Sequence, residues 1–368
     1  AANNATTPTS GGTITVNGTG DGGTVANYGI RVDTSSMISY GAMSLTGVSA
    51  SAHAVYLHGT GTKVKSASNI TINGTGSWGL TLYDSAFIQS TGGNIAITAT
   101  GTNGGLYFDS TATGGIYATS ETTSPTTVTP VSGGSLTINA TATSSGQGLL
   151  IYTGSLISYG PMSLTTRAAG AAQGLYVAGS GSFKSVGALS IDSATPGAAW
   201  GVELQSGRII QSTAGNVSVT GVGDWGVYMN GSIVASNDAT NVATNTPNTP
   251  TSGGTLTLNA IAPTFSGRLT GAGGLSVNAA GGTLTLSGNN AYTGTTAITS
   301  GKVITTHIHA LGNNTAVSLS NVSGAILQLN SSLNIGSLLG GGTSGGDVVL
   351  STGTLLTTGL INTDTTFA

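Results

Sequence analysis

Gly29–Leu45, GIRVDTSSMISYGAMSL, carries three short apolar pairs in seventeen residues: Ile30 with Val32, Met37 with Ile38, and Met43 with Leu45. Gly, Ser, Thr, Asp and Tyr-Gly separate them, and most of these are turn residues. An apolar residue at every second position is strand spacing, and each run is too short to give a helix a buried face. Nearly the same text returns 119 residues later as GLLIYTGSLISYGPMSL, Gly148–Leu164. Three tiny strands written twice read as a repeated structural unit, not as a duplicated catalytic loop.

The repeat has two lengths. SGGTITVNG at Ser10, SGGSLTINA at Ser132 and SGGTLTLNA at Ser252 open blocks spaced 122 and 120 residues apart. This divides the chain into a first block, 1–131, a homologous second block, 132–251, and a third region, 252–368, all expected to form one continuous rod. Within the blocks, a strand of the form Gly-apolar-x-apolar starts at Gly29, Ala54 (with Ala in place of Gly), Gly79 and Gly105, then at Gly148, Gly174, Gly201 and Gly226. The steps are 25, 25 and 26 residues, then 26, 27 and 25. Two further short alternations follow each start. About 25 residues per three-strand coil is the signature of a parallel β-solenoid, whose coils bury a core only by stacking on one another. An antiparallel sandwich would need hairpin signals and gives no reason for a constant step. The register puts Ile30, Val32, Val55, Leu57, Leu80, Leu82, Leu106 and Phe108 in two inward columns. The Thr- and Pro-rich stretches 119–131 and 237–251 should leave the coil path.

Composition agrees and excludes several functions. Gly accounts for 61 of 368 residues and charged residues for 5%, against usual shares of about 7% and about 25%. There is no cysteine, so neither a disulfide nor a thiolate metal site can form. Eight scattered Lys and Arg in a chain of net charge −3 make nucleic acid an unsuitable partner. No apolar run reaches eighteen residues, so no membrane-spanning helix is expected in this segment.

After Gly253 the text changes. GGTLTLSGNNAYTGTTAITSGKV, Gly281–Val303, followed by HALGNNTAVSL from His309, resembles the autotransporter-associated β-strand repeat of secreted β-helical adhesins and autotransporter passengers. Gly288, Asn289, Asn290, Tyr292, Thr293, Gly294, Thr296, Ile298, Gly301, Ala310, Leu311 and Gly312 fit that pattern, while Ala291 and Val303 depart from its commonest residues. The resemblance covers about the last 90 residues. It implies an extracellular, cell-surface, right-handed single-stranded parallel β-helix from a Gram-negative bacterium, with a membrane barrel further along the protein.

Chemistry-bearing residues are sparse, and no catalytic residue, cofactor or metal site is expected. Asp33, His58, Tyr83 and Asp109 share the fourth position after the coil start, which would set His58 between Asp33 and Tyr83. The second block replaces them with Tyr152, Ala178, Gln205 and Asn230. His307 and His309 share one face if HIH is a strand, but lack a third ligand nearby. Aromatic residues are less evenly scattered. Tyr56, Tyr107, Tyr176 and Tyr228 occupy the outward second position, Tyr83 and Tyr152 the fourth, and Tyr28, Trp78, Trp200 and Trp225 lie just before a start. Such an edge is a candidate binding face, since aromatic rings stack on sugars and are enriched in interfaces. The third-strand face carries Ser, Thr and Asn, which would allow rods to pack side by side. The expected function is that of a non-enzymatic adhesin and stalk, with a glycan or a cell-surface or matrix component as partner. A filament or matrix polymer of self-associating rods is the alternative, and a polysaccharide-active β-helix enzyme a weaker one.

Overall fold

The computed structural model describes residues 11–22, 27–110, 114–120, 131–179, 182–195, 200–205, 208–224, 226–235, 254–260, 264–312, 314–361 and 365–368. These residues contain strands and no helix, so no helix is long and apolar enough to cross a membrane. The chain divides into two compact units, 1–199 and 200–368. Each is a parallel β-helix.

In the first unit every coil contributes three strands. The first-strand stack holds Ile30–Asp33, His53–His58, the later parts of Ile70–Asp84 and Ile95–Ser110, then Leu149–Thr153 and Leu175–Val177. The second holds Ser36–Ser39, Lys63–Ser66, Phe87–Ser90, Gly115–Ala118, Ser155–Ser158 and Ser182–Ser185. The third runs from Ile14–Gly20 to Leu189–Ala194. All pairings are parallel, and each joins a residue to its equivalent one coil away.

The register is the one that the period predicts. Ile30, Val55, Leu80, Leu106, Leu149 and Leu175 form one inward column, and Val32, Leu57, Leu82, Phe108, Ile151 and Val177 the next. All are buried. With strands about 4.8 Å apart, each side chain lies on its counterpart in the neighbouring coil.

Three features form the corners. One residue beyond Asp33, His58 and Tyr83, the chain takes left-handed angles at Thr34 (φ 48°), Gly59 (φ 92°) and Asp84 (φ 57°), turning out of the first strand. At the end of the second strand stands a serine column whose hydroxyls donate to backbone carbonyls: Ser39 to Gly12 (2.6 Å), Ser66 to Gly41 (2.7 Å), Ser158 to Gly160 (2.8 Å) and Ser185 to Gly187 (2.6 Å). They satisfy carbonyls that a sharp turn leaves out of the ladder. Where the third strand feeds the next coil the backbone is pinched: a Cβ on Gly74 would lie 2.0 Å from the carbonyl oxygen of Gly79. Only glycine fits there.

The expected departures of 119–131 and 237–251 fall mainly on residues outside those described. Their roots are described. Ser120 donates its N–H to the Ser132 carbonyl (3.1 Å), and Gly254 to that of Ala235 (3.1 Å).

The second unit repeats the design with shorter coils toward its end. Leu256, Leu275, Thr296 and Val317 stack in one column, and Leu258, Val277, Ile298 and Leu319 in the next. The residues of the Gly-Asn-Asn-x-Tyr-Thr-Gly motif serve this stacking. Buried Asn290 accepts the Leu269 N–H (2.8 Å) and donates to the Ala310 carbonyl (2.6 Å), tying three successive coils together. Fully buried Tyr292 reaches the Thr296 hydroxyl at 2.6 Å.

Replacing Leu106, at the centre of an inward column, with Ala should destabilise the chain by about 2–5 kcal/mol. Thr98→Ala, on the exposed third-strand face, should stay within about 0.5 kcal/mol. Denaturant titrations of the two variants check the register, because a shift by one residue would exchange the two results.

Candidate functional site

Any side chain pointing outward from one coil meets its counterpart on the next, so outward residues also form columns. On the first-strand sheet, Arg31, Tyr56, Thr81, Tyr107, Leu150 and Tyr176 follow one another in register. The position before the coil start aligns His53, Trp78 and Gly104. A Cβ on Gly104 would lie 2.2 Å from the Trp78 ring, so the missing side chain makes room for the indole.

Together these columns form an unbroken aromatic ladder in the first unit. Ring centroids are 4.9 Å apart between Tyr28 and Tyr56, 5.9 Å between Tyr56 and Tyr83, and 5.5 Å between Tyr83 and Tyr107. They are 6.0 Å apart between Tyr107 and Tyr152, and 6.4 Å between Tyr152 and Tyr176. Trp78 joins from the side, 5.1 Å from Tyr107. All of these spacings suit favourable aromatic pairs.

The two ends differ. Near Tyr28 the rings lie nearly parallel: Tyr28 and His53 at 16°, Tyr28 and Tyr56 at 25°, Tyr56 and His58 at 11°. The Arg31 guanidinium lies 5.2 Å from the Tyr28 ring centre. These faces are covered by one another. Toward Tyr176 the rings meet edge to face, at 82° and 88°, and Tyr152 is 41% exposed. Among these rings Tyr152 is the most exposed.

Outward does not mean exposed. Thr81 and Leu150, in the same column as the tyrosines, are buried, and Tyr56, Tyr83, Tyr107, Tyr176 and Trp78 are half-buried. His53 Nδ1 lies 2.7 Å from the Thr81 hydroxyl. Burial drives the His53 imidazole down to about 4, and burial also raises the phenols of Tyr56 and Tyr107.

At the Tyr28 end a polar group crosses three coils. Arg31 pairs with Asp33 at 2.6 Å, and His58 Nδ1 lies 2.9 Å from the same carboxylate. His58 thus lies between Asp33 and Tyr83, and its opposite nitrogen lies 3.3 Å from Asp84, a partner that the column rule does not supply. Tyr83 meets the imidazole with its ring inclined by 63°, centroids 6.4 Å apart. The left-handed angle at Asp84 gives the reason, since it turns that side chain out of the strand alternation. Hydrogen bonding from His58, then from Arg31, holds the Asp33 carboxyl below its usual range.

In the second unit Trp200 and Tyr228 pair at 5.2 Å, and Tyr228 lies in register between Glu203 and Thr264. Trp225 lies outside the described residues. His307 and His309 are in a turn after the strand Thr296–Thr305 and not on a strand face. The His309 N–H donates to His307 Nδ1 at 3.0 Å. Among the described residues no three His, Asp or Glu converge on a metal position. His53 was missed as a ladder member because its apolar surroundings follow from stacking on Tyr28 and Trp78. Aligning the position before each coil start would have found it.

Compared with known proteins, the chain matches no family model, no curated protein and no solved structure.

His53 sets a pH dependence. The unfolded imidazole takes a proton near its ordinary value of 6.5, whereas the folded one resists until about 4. The unfolded state therefore binds more protons across that window, and stability should fall as pH drops from about 6.5 toward about 4. In His53→Gln this part of the slope should be lost, as melting curves at several pH values would reveal. Gly104→Val should displace the indole of Trp78 and alter tryptophan fluorescence.

Proposed function

We propose that this chain is a stalk-and-adhesin segment of a larger secreted β-helical surface protein. The observation that carries the reading is the aromatic ladder Tyr28–Tyr176, built on one sheet of a solenoid and including exposed Tyr152 toward its Tyr176 end. Rings held by a stack lose little freedom when a partner docks, so contact with the apolar face of a sugar or a matrix polymer costs little ordering. The resemblance of Gly281–Gly312 to autotransporter-associated repeats supports an extracellular setting. The partner class is a glycan or a cell-surface or matrix component.

A second reading, lateral assembly into a filament or matrix, is favoured by the third-strand sheet. Across its first five strands every outward residue is uncharged, among them exposed Asn73, Thr98 and Asn139. Nothing there repels a second rod.

Tyr152→Ser combined with Tyr176→Ser tests the first reading where the rings are least tied to each other. Each stacked ring contributes on the order of 1 kcal/mol, so retention on immobilised glycans or on cells should fall roughly tenfold or more. The melting temperature should change little. Undiminished binding would remove the ladder as the contact face. Concentration-dependent light scattering that survives the change would move the assignment to the third-strand sheet.

A further inference from the structure

We propose that Tyr83 and Tyr107 form a site of oxidative cross-linking, joined as dityrosine when hydrogen peroxide and a haem peroxidase act on the protein surface. The proposal is independent of the adhesion reading. It rests on how these two rings meet, compared with the other pairs of the ladder.

Dityrosine links the carbons beside the two hydroxyls, so its hydroxyls end side by side and its rings meet edge to edge with a twist. Tyr83 and Tyr107 are on adjacent strands, in register through Thr81 with Tyr107 and Tyr83 with Asp109. Their centroids are 5.5 Å apart and their planes inclined by 56°. Tyr28 and Tyr56, though closer at 4.9 Å, lie face to face at 25° and present no edges to one another. Tyr107 with Tyr152 and Tyr152 with Tyr176 are near-perpendicular, so an edge meets a face. Tyr56 and Tyr83 have a comparable tilt, 60°, but a longer separation of 5.9 Å.

A proton acceptor stands beside the pair. The Tyr107 hydroxyl donates to Asp109 Oδ2 at 3.3 Å. A neutral phenol becomes a radical by losing an electron together with a proton, and a carboxylate in hydrogen-bond reach can take that proton. Neither ring is fully buried, so an oxidant reaches them from solvent. Each phenol gives one electron to the peroxidase and one proton to solvent, that of Tyr107 by way of Asp109. The two radicals couple through a carbon–carbon bond between their ortho positions. The hydrogens on those carbons then move to the oxygens, restoring both phenols. The peroxide takes up the two electrons and two protons and leaves as two waters. The product ties neighbouring coils covalently across residues 83–107.

The experiment treats the dilute chain with horseradish peroxidase and limiting hydrogen peroxide. The expected product is a monomer lighter by two hydrogen atoms, with dityrosine fluorescence and a peptide pair joining Tyr83 to Tyr107 by mass spectrometry. It should melt at a higher temperature than the untreated chain. Tyr83→Phe and Tyr107→Phe, which keep the ring packing, should each abolish that peptide pair. Asp109→Asn should slow its formation several-fold, and an unchanged rate overturns the part given to Asp109. The proposal is overturned if the chain without substitutions yields dityrosine only between molecules. It is likewise overturned if the linkage maps to Tyr40 and Tyr159, which are exposed outside the ladder, or if it persists undiminished in Tyr107→Phe.

Discussion

Stacking of each inward side chain on its equivalent one coil away is the interaction on which everything else here depends. A single coil of three short strands has too little apolar area to offset the entropy of ordering it. The columns from Ile30 to Leu175 and from Val32 to Val177 supply that area only while the register is held. A slip of one residue would turn Arg31 and Tyr56 inward and Val32 and Leu57 outward. The corner devices therefore serve the register. The serine hydroxyls, the left-handed turns at Thr34, Gly59 and Asp84, and the pinch at Gly74 fix where each strand begins and ends.

The same register that builds the core makes ladders on the surface without further design. Outward residues must align, and the local choice of residue decides whether they make a π-stack, an ion-pair group or a hydroxyl array. Arg31, Asp33, His58 and Asp84 sit beside parallel rings at one end of the first-strand sheet. Edge-to-face tyrosines occupy the other end. The first arrangement ties coils together, whereas the second leaves Tyr152 exposed.

Much of this was legible from residue spacing. The three-strand coil, its period and the inward columns all follow from alternation and repetition, because a strand has only two faces. The row of Tyr56, Tyr83, Tyr107, Tyr152 and Tyr176 follows from the same rule. What spacing cannot convey is how far a large ring leans over its neighbours. Thr81 and Leu150 point outward yet are buried, because flanking rings cover them. Spacing also treats every residue as part of a strand. Asp84 escapes the rule through its backbone angle, Tyr152 stands at a shift in register between Ile151 and Thr153, and His307 and His309 fall in a turn.

The hydrogen bonds from Ser120 to Ser132 and from Gly254 to Ala235 have a practical consequence. At each place two residues well separated in sequence meet through one hydrogen bond, so the strands before and after are positioned by each other and not by what is strung between them. Length and composition of the intervening chain are thus uncoupled from the solenoid period. A foreign peptide grafted between either pair of anchor residues would be held at a set height on its own unit, making each corner a natural insertion point.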